Sequence, residues 1–425
     1  MQTLGCRLNQ YETNSIRDQL EAAGYTIVSF DAEADLTVIN TCTVTNAADA
    51  KSRSAIRRFI RRNPSAVTVV VGCYSQVGYK AIAEITGVDY IIGNNDKLNL
   101  LDYLGEEKVE RPIIIRDRIN REDFSVNFIG EAPFNQRANL KIQDGCDFMC
   151  SFCIIPFSRG RARSRDFKNL IQEARALVGR GVREFVLTGV NLGEYCNSKQ
   201  DITTVIDALN AIEGLDRIRI SSIEPTTIPE ELFTRMASPE HALLPYLHIP
   251  LQSGCPRTLK RMHRKYSPNE VLEFIDRSIQ QVPNLCVGTD FMVGFPGETD
   301  KDFEKTMRLI EKVEFSISYS FCYSSRPGTP ASNMLDQIDY KIKKERLYAL
   351  QSLLKKQQKQ YNERFIGQNL EILFEKIGKH KNQFVGRSVY NQSVFMNSQK
   401  NLLGSIIKAN INNTTNFALS AIPSI

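Results

Sequence analysis

Short apolar runs and amphipathic helical stretches alternate over the first part of the chain. Residues 66–72 contain a Val-rich run, which is typical of a strand buried on both faces of a parallel sheet. Residues 47–62 show a helical pattern that ends at Asn63-Pro64, because proline disfavours the helical conformation in the residue before it. With further strands and helices of this kind, the pattern predicts an open α/β sheet domain over residues 1–104.

A second alternation of strands and helices begins near residue 139. It predicts six strands, at residues 140–142, 184–187, 217–223, 246–251, 286–293 and 316–322. Because helical patterns separate these strands, residues 136–360 are expected to form an incomplete β/α barrel. The active site of such a barrel lies at the carboxyl ends of its strands. A long basic helix at residues 339–360 is expected to end this domain.

Two segments lie outside these alternations. Residues 105–135 are rich in charge and have no sustained period, and we expect them to form a linker. Residues 361–425 contain short strand-like runs separated by turn residues, which predicts a small antiparallel β-barrel. The predicted class is therefore α/β, with an open sheet, an incomplete β/α barrel and a C-terminal all-β domain.

Composition predicts a soluble intracellular protein. There is no run of about 18 apolar residues, so we expect neither a membrane span nor a membrane partner. The N-terminus lacks the pattern of a signal peptide, which favours a cytoplasmic location. In a reducing compartment the 10 cysteines are more often metal ligands or core residues than disulfides. The net charge of +6 is concentrated in the last third, which indicates a polyanionic partner such as nucleic acid.

Three cysteines with C-x3-C-x2-C spacing, Cys146, Cys150 and Cys153, lie directly after the first predicted barrel strand. A [4Fe–4S] cluster held by three thiolates keeps one iron open for a small molecule. This spacing is typical of radical S-adenosylmethionine (SAM) enzymes. A zinc site or three buried thiols is the alternative, but zinc sites usually add a second C-x2-C or a His pair at a distance. The four histidines provide no such partner.

Three more cysteines, Cys6, Cys42 and Cys73, each directly follow a strand-like segment of the N-terminal domain. The carboxyl ends of parallel strands line one edge of an open sheet, where ligands bind. The three thiols are therefore candidates for a second cluster at that edge. The alternative is that each cysteine is a small buried core residue, which is the commoner role of a lone cysteine.

These motifs together resemble the radical SAM methylthiotransferases. The resemblance rests on residues 3–13 (Thr-Leu-Gly-Cys-Arg-Leu-Asn-Gln-Tyr-Glu-Thr), on 40–45 (Asn-Thr-Cys-Thr-Val-Thr), on Gly72-Cys73 and on the cysteine triplet of the barrel. It covers almost the whole chain and implies a C-terminal TRAM module that binds RNA. Residues 40–45 and 157–165 are most similar to the branch that acts on threonylcarbamoyladenosine in tRNA.

The resemblance also implies the cofactors and their ligands. Cys146, Cys150 and Cys153 would hold the [4Fe–4S] cluster that binds SAM and cleaves it reductively to a radical. Cys6, Cys42 and Cys73 would hold an auxiliary [4Fe–4S] cluster that carries the sulfur. Contacts to SAM are expected from residues at the strand ends, namely Thr188, Gly189, Asn191, Ser222, Glu224, Gln252, Asp290 and Gly294.

The expected substrate is the anticodon loop of a tRNA. Its expected phosphate contacts are Arg159, Arg161, Arg163 and Arg165, with Lys379 and Lys381 of the C-terminal barrel. The expected reaction converts threonylcarbamoyladenosine next to the anticodon to its 2-methylthio derivative, with an electron donor and a sulfur donor of unknown identity. Alternatives are isopentenyl-adenosine tRNA or a ribosomal-protein aspartate as substrate, and an iron–sulfur RNA-binding protein without catalytic activity.

Overall fold

The structure is a computed structural model that describes residues 1–105, 107–128 and 136–424. Its N-terminal part is a parallel sheet in the strand order 1-2-3-4-5, so each strand lies beside the next one in sequence. The strands are β1 (Gln2–Thr3), β2 (Leu36–Thr41), β3 (Val67–Gly72), β4 (Tyr90–Ile92) and β5 (Ile113–Ile115). The helices are α1 (Arg7–Ala22), α2 (Asn46–Arg62), α3 (Cys73–Val77) and α4 (Tyr79–Ala83). The predicted open α/β sheet is confirmed.

The predicted linker is wrong over part of its length. Ile113–Ile115 pairs with β4 as the fifth strand of the sheet, although this segment lies within residues 105–135. Further along, Phe124 forms a bridge with Arg165, and Val126 is buried. Because these three isoleucines form the edge strand of the parallel sheet, the N-terminal domain extends beyond residue 104. Residues 106 and 129–135 of the predicted linker lie outside the described residues.

The central part is the expected incomplete β/α barrel. Two parallel groups of three strands, β6-β9-β12 and β13-β14-β15, are joined by a bridge between Ile218 and Leu243. The strands are β6 (Arg137–Lys141), β7 (Gln143–Asp144), β8 (Arg163–Ser164), β9 (Glu184–Thr188), β10 (Cys196–Asn197), β11 (Gln200–Asp201), β12 (Arg217–Ile220), β13 (Tyr246–Gln252), β14 (Cys286–Val293) and β15 (Ile317–Cys322). The short pairs β7-β8 and β10-β11 lie outside these two groups. All six predicted barrel strands are therefore present.

Helices cover the outer face of the barrel, and the last of them is one long helix. They are α5 (Ile155–Arg159), α6 (Phe167–Gly179), α7 (Ile202–Asn210), α8 (Glu231–Ala237), α9 (Pro256–Arg261), α10 (Pro268–Gln281), α11 (Asp300–Val313) and α12 (Tyr340–Glu363). Helix α10 begins with a capping box, in which Ser267 and Glu270 each accept a hydrogen bond from the other's backbone N–H. Since α12 runs three residues past 360, it crosses the predicted start of the last domain.

The two faces of the barrel sheet differ in character. Leu140, Phe185 and Ile218 point outward into the apolar core under the helices. Because side chains alternate along a strand, their neighbours point to the inner face. That inner face is polar and aromatic, and it presents Arg137, Asn139, Lys141, Glu184, Arg217, Arg219, Tyr246, His248, Asp290 and Tyr319.

The C-terminal part is a closed five-stranded barrel, as predicted. Its strands are β16 (Asn369–Ile377), β17 (Gln383–Ser388), β18 (Ser393–Asn397), β19 (Ile406–Thr414) and β20 (Ala418–Pro423). Four of its strand pairs are antiparallel, and the pair of β18 and β20, which closes the barrel, is parallel. A turn of this barrel contacts the inner face of the central barrel, where Arg219 donates to the carbonyls of Ser388 and Val389. Ile425 lies outside the described residues.

Candidate functional site

The cluster loop, residues 145–153, lies at the carboxyl end of β6. Gly145 adopts φ +71°, and a Cβ at this position would lie 1.9 Å from the backbone oxygen of Arg161. Glycine is therefore required for both backbone conformation and space. Ser151 fixes the far end of the loop through its N–H to the Met262 carbonyl and its hydroxyl to the Arg261 carbonyl.

The three thiols of this loop lie in a partly buried setting with N–H donors directed at sulfur. Cys150 is buried and Cys146 and Cys153 are half-buried. The Phe148 N–H donates to Cys146 Sγ at 3.5 Å, and Arg264 Nη1 donates to Cys150 Sγ at 3.4 Å. Burial and, to a smaller extent, the neighbouring Cys150 together raise the pKa of Cys153 to about 12. Without a cationic ligand these thiols hold their protons, so binding of iron has to displace them.

Two side chains that the sequence reasoning missed position this loop. Gln143 Nε2 donates to the Gly145 carbonyl at 2.9 Å, while its Oε1 accepts from the Val190 N–H at 2.8 Å. The amide therefore ties the cluster loop to the segment after β9. Arg264 donates to Cys150 and also to Glu224, which ties the loop to the segment after β12. The position of Gln143, three residues before Cys146, indicates in the sequence that it lies beside the cluster loop. No local pattern indicates Arg264.

The cysteines of the N-terminal domain also lie together. Cys6 precedes α1, Cys42 follows β2, and Cys73 begins α3 directly after β3, so all three occupy one edge of the sheet. Burial and, to a smaller extent, the nearby Cys73 and Cys6 together raise the pKa of Cys42 to about 11. A Cβ on Gly5 would lie 2.7 Å from the Cβ of Cys42. Gly5 thus lets the loop of Cys6 approach Cys42 closely.

A buried network of charged side chains connects the two cysteine sites. Arg159 follows the cluster loop and donates to Glu12 at 2.9 Å, to Asp144 at 3.0 Å and to Asn9 at 2.7 Å. Burial alone would raise the pKa of Glu12, but Arg159, Lys97 and Lys141 hold it well below its usual range. Glu12 is therefore ionised, and it offsets cations from both domains.

Burial contradicts the expected role of three arginines. Arg159 and Arg165 are 1% and 0% exposed, and Arg165 pairs with Glu173. Arg163 is also buried and donates to Asn120 at 2.8 Å. The prediction that Arg159, Arg163 and Arg165 contact phosphate is wrong in this structure, because buried guanidinium groups that are already paired are not accessible to RNA.

The other predicted phosphate contacts lie at the surface. Arg161 has a 40% exposed side chain, which lies 3.4 Å from Asp147 Oδ1. Lys379 and Lys381 are exposed in the turn between β16 and β17. Their contact with RNA stays a prediction, and their exposure is compatible with it.

The predicted SAM contacts lie at the carboxyl ends of the barrel strands, beside the cluster loop. Several of them are already engaged within the protein. The Thr188 hydroxyl is buried and donates to the Val186 carbonyl at 2.9 Å. Asn191 Oδ1 accepts from the Glu224 N–H at 3.1 Å, whereas its Nδ2 is buried and has no hydrogen-bond partner among the described residues. Burial raises the pKa of Glu224 against the opposing charge of Arg264, which lies 2.5 Å away.

The remaining members of this set differ in accessibility. Asp290 Oδ2 lies 3.0 Å from His248 Nε2 on the inner face of the barrel. Gln252 adopts φ +71° at an irregularity that ends β13. A Cβ on Gly294 would lie 2.3 Å from Lys343 Cγ, so packing against Lys343 explains this glycine. Ser222, whose carbonyl accepts from the Leu192 N–H, and Gly189 belong to the same edge. Their contacts to SAM stay predictions.

The setting of the cluster loop is compatible with an iron–sulfur cluster. Among residues 1–105, 107–128 and 136–424, no three His, Cys, Asp or Glu side chains converge as ligands of one ion. Hydrogen bonds to sulfur and exclusion of water are the usual features by which a protein tunes such a cluster. Here Phe148 beside the thiols is 6% exposed, and Arg264 supplies a charged donor.

Sequence comparison places the chain among known proteins. The Radical SAM superfamily matches residues 140–310, and the Uncharacterized protein family UPF0004 matches residues 1–93. The threonylcarbamoyladenosine tRNA methylthiotransferase MtaB of Bacillus subtilis (strain 168) is 40% identical, over 96% of this chain and 92% of the relative. The chain belongs to the radical SAM tRNA methylthiotransferase family. It is therefore an enzyme of the methylthiotransferase type, and radical SAM membership implies a [4Fe–4S] cluster and SAM.

Further relatives come from both tRNA branches of this family. The protein of the same name from Aquifex aeolicus (strain VF5) is 37% identical, over 88% of this chain and 91% of the relative. The tRNA-2-methylthio-N(6)-dimethylallyladenosine synthase of Wolbachia sp. subsp. Brugia malayi (strain TRS) is 36% identical, over 93% of this chain and 91% of the relative. The two names differ in the N6 group of the adenosine, so membership of the family does not by itself decide the nucleoside.

Comparison of structures supports the fold. The radical S-adenosylmethionine methyltransferase TsrM from Kitasatospora setae, with cobalamin and a [4Fe–4S] cluster bound, superposes with a TM-score of 0.56. The alignment covers 78% of this chain and 76% of TsrM at 14% sequence identity, and it establishes a shared fold alone. In the described part of the chain, no helix is both long and apolar enough to cross a membrane.

Proposed function

We propose that this enzyme converts threonylcarbamoyladenosine next to the anticodon of tRNA to its 2-methylthio derivative. The observation that carries the proposal is the pairing of two cysteine triplets across one buried contact. Asn94 bridges the two cysteine sites. Its Nδ2 lies 3.6 Å from Cys73 Sγ and also donates to the carbonyl of Ser158, five residues after Cys153. Two sites this closely coupled suit a reaction that needs a radical and a sulfur source together.

The cofactors of this proposal are two [4Fe–4S] clusters and SAM. Cys146, Cys150 and Cys153 would hold the SAM-binding cluster, and Cys6, Cys42 and Cys73 the auxiliary one. When bound, these groups supply a radical able to activate the inert C2–H of adenine, and the sulfur that replaces the hydrogen. The protein contributes placement, charge balance and exclusion of water.

The tRNA partner is supported by the names of the relatives and by the exposed cations of the C-terminal barrel. The choice of threonylcarbamoyladenosine is supported by the 40% identity to the Bacillus subtilis protein. An unstacked anticodon loop can present one base to a buried site, as base-modifying enzymes require. A separate electron donor, a separate sulfur donor and a cytoplasmic location complete the proposal.

The test is mass spectrometry of tRNA nucleosides from cells with and without the gene. We expect 2-methylthio-threonylcarbamoyladenosine to disappear in the deletion strain. The wild-type gene and Cys196→Ala should restore it, since Cys196 belongs to neither triplet, whereas Cys150→Ala and Cys73→Ala should not. Loss of a methylthio-dimethylallyladenosine instead would move the enzyme to the other tRNA branch. Unchanged tRNA with loss of a ribosomal-protein modification would overturn the tRNA proposal.

A further inference from the structure

A polar cavity of about 440 Å³ opens beside the inner face of the central barrel. It lies where α1, the first two barrel strands and β16 of the C-terminal barrel meet. Its lining includes Arg7, Gln10, Arg137, Asn139, Glu375 and Lys376. All three domains thus contribute to one space, which is large enough for a nucleoside-sized group.

Arg7 is the unusual member of this lining. Its Nη1 is buried and has no hydrogen-bond partner among the described residues, nor does the side chain form an ion pair in that part of the chain. Arg137, by contrast, pairs with Glu184 at 2.7 Å and with Glu375 at 3.4 Å. Arg219 pairs with Glu184 at 3.0 Å. Glu375, the carboxylate of the lining, is therefore already paired with Arg137, and Glu184 is shared by Arg137 and Arg219.

No carboxylate in the described part of the chain forms an ion pair with Arg7. An arginine stays protonated in proteins, so a half-buried guanidinium without a paired carboxylate costs free energy that a bound anion would recover. The cavity has the features of an anion site: a fixed cation, a free buried donor and neighbouring polar side chains.

The position of Arg7 connects this site with the reaction. Arg7 directly follows Cys6 and begins α1, so its backbone is fixed relative to the auxiliary cysteines. Tyr246 and Tyr319 lie on the inner face of the same barrel. Tyr319 is 52% exposed, so an aromatic surface is accessible on that face. A planar base with an anionic substituent is complementary to this combination.

We propose that Arg7 determines substrate specificity by binding the carboxylate of the N6-threonylcarbamoyl group. The threonine of this group is attached through its amino nitrogen, so its carboxylate is free and ionised. A dimethylallyl group is a hydrocarbon, and its entry would leave Arg7 unpaired and shielded from water, which disfavours that substrate. The inference rests on the proposed function, and it names the residue that selects threonylcarbamoyladenosine over adenosines with an uncharged N6 group.

The test measures affinity of the anaerobically reconstituted full-length protein for two anticodon stem-loop RNAs. One carries threonylcarbamoyladenosine beside the anticodon and the other carries unmodified adenosine. We expect the wild-type protein to prefer the first by about tenfold or more, since a charge-assisted hydrogen bond has about this value. Arg7→Gln should abolish the preference, and Arg7→Lys should keep part of it. Arg308→Gln, which removes an exposed arginine of α11, should leave it unchanged.

A third RNA tests the inference on the wild-type protein, without any amino-acid substitution. With the threonine carboxylate blocked as a methyl ester, the wild-type protein should bind no better than it binds unmodified RNA. The inference is overturned if the ester binds as tightly as the acid, or if the wild-type protein shows no preference. It is also overturned if Arg7→Gln weakens both RNAs equally, which would assign Arg7 to a phosphate.

The outcome for Arg7 is separable from the outcome for the proposed function. Methylthio product in cells together with an Arg7→Gln protein that keeps its RNA preference would overturn this inference alone. A preference that depends on Arg7 and the free carboxylate, without any methylthio product, would overturn the proposed reaction and keep the anion site.

Discussion

Arg159 and Glu12 form a buried ion pair, with Nη1 and Oε1 2.9 Å apart, that joins the barrel to the N-terminal domain. The two side chains are 1% and 0% exposed. Asp144, which precedes the cluster loop, accepts a second bond from the same nitrogen of Arg159. The pair therefore fixes the loop of Cys146 relative to α1, which begins directly after Cys6.

Replacing Arg159 by Met should destabilise the protein by about 3–5 kcal/mol, because Glu12 and Asp144 would each lose a buried cation. The free energy of unfolding from urea denaturation measures the effect. Arg161→Met is the matched control, since its side chain is 40% exposed and lies 3.4 Å from Asp147. The control should cost about 0–1 kcal/mol. A similar loss of unfolding free energy in both variants would show that the buried network stabilises the protein no more than an exposed ion pair does.

Gly145→Ala should disrupt the cluster loop. Gly145 has φ +71°, and an added Cβ would lie 1.9 Å from the backbone oxygen of Arg161, which cannot move like a side-chain end. Gly181→Ala is a control with φ +95° and no atom within 4 Å of the added Cβ. The control should cost about 1–2 kcal/mol of backbone strain. Gly145→Ala should cost more and reduce the iron bound per chain after anaerobic reconstitution. Equal iron content in both variants would contradict this role of Gly145.

Glu184 should make the free energy of unfolding depend on pH in the acidic range. Burial would raise its pKa, but Arg219 and Arg137 lower it to about 2, against 4.5 for an ordinary glutamate. The unfolded state therefore binds more protons between these values. The stabilisation is complete above about pH 4.5 and is lost as pH falls toward 2, at most about 3 kcal/mol.

The measurement is the thermal midpoint of unfolding as a function of pH, for the wild type and for Glu184→Gln. The curve of the variant should be flatter between pH 5 and 3, although Glu12 and Asp144 keep some acid dependence through their own lowered pKa values. Parallel curves for the two proteins would rule out a contribution of Glu184 in this window.

The strands and the position of the cysteines at the strand ends could be predicted from the sequence because both depend on local pattern, and the role of these cysteines as cluster ligands stays a prediction. Valine runs and the spacing of Cys146, Cys150 and Cys153 are visible within a few residues. The environment of Arg159 could not be predicted, since its partner Glu12 lies 147 positions away in the chain. An arginine-rich segment resembles an RNA-binding surface until the packing of α1 shows that it is interior. For the same reason the cavity around Arg7, built from three domains, has no signal in the sequence.

Tyr319→Ala should weaken binding of the anticodon stem-loop by roughly tenfold, because stacking of a base on an aromatic ring contributes about 1–3 kcal/mol. Tyr319 and Phe321 occupy alternate positions of β15 and are 52% and 48% exposed on the inner side of the barrel. Fluorescence anisotropy with labelled RNA measures the change. Tyr348→Ala on α12, where the side chain is 65% exposed, should have no effect. A loss of affinity in the control alone would place the RNA on α12.

Replacing Lys379 and Lys381 together by Gln should reduce the salt dependence of RNA binding. Both lysines are exposed in the turn after β16. Each phosphate contact releases counterions, so each lost contact should lower the slope of log affinity against log salt by about 0.7–0.9. Titrations at several salt concentrations give the slope. The double variant of Lys301 and Lys305 on α11 removes the same charge from an exposed helix and should keep the wild-type slope. An unchanged slope in the first variant would exclude this turn from the RNA contact and leave the basic helix α12 as the next candidate.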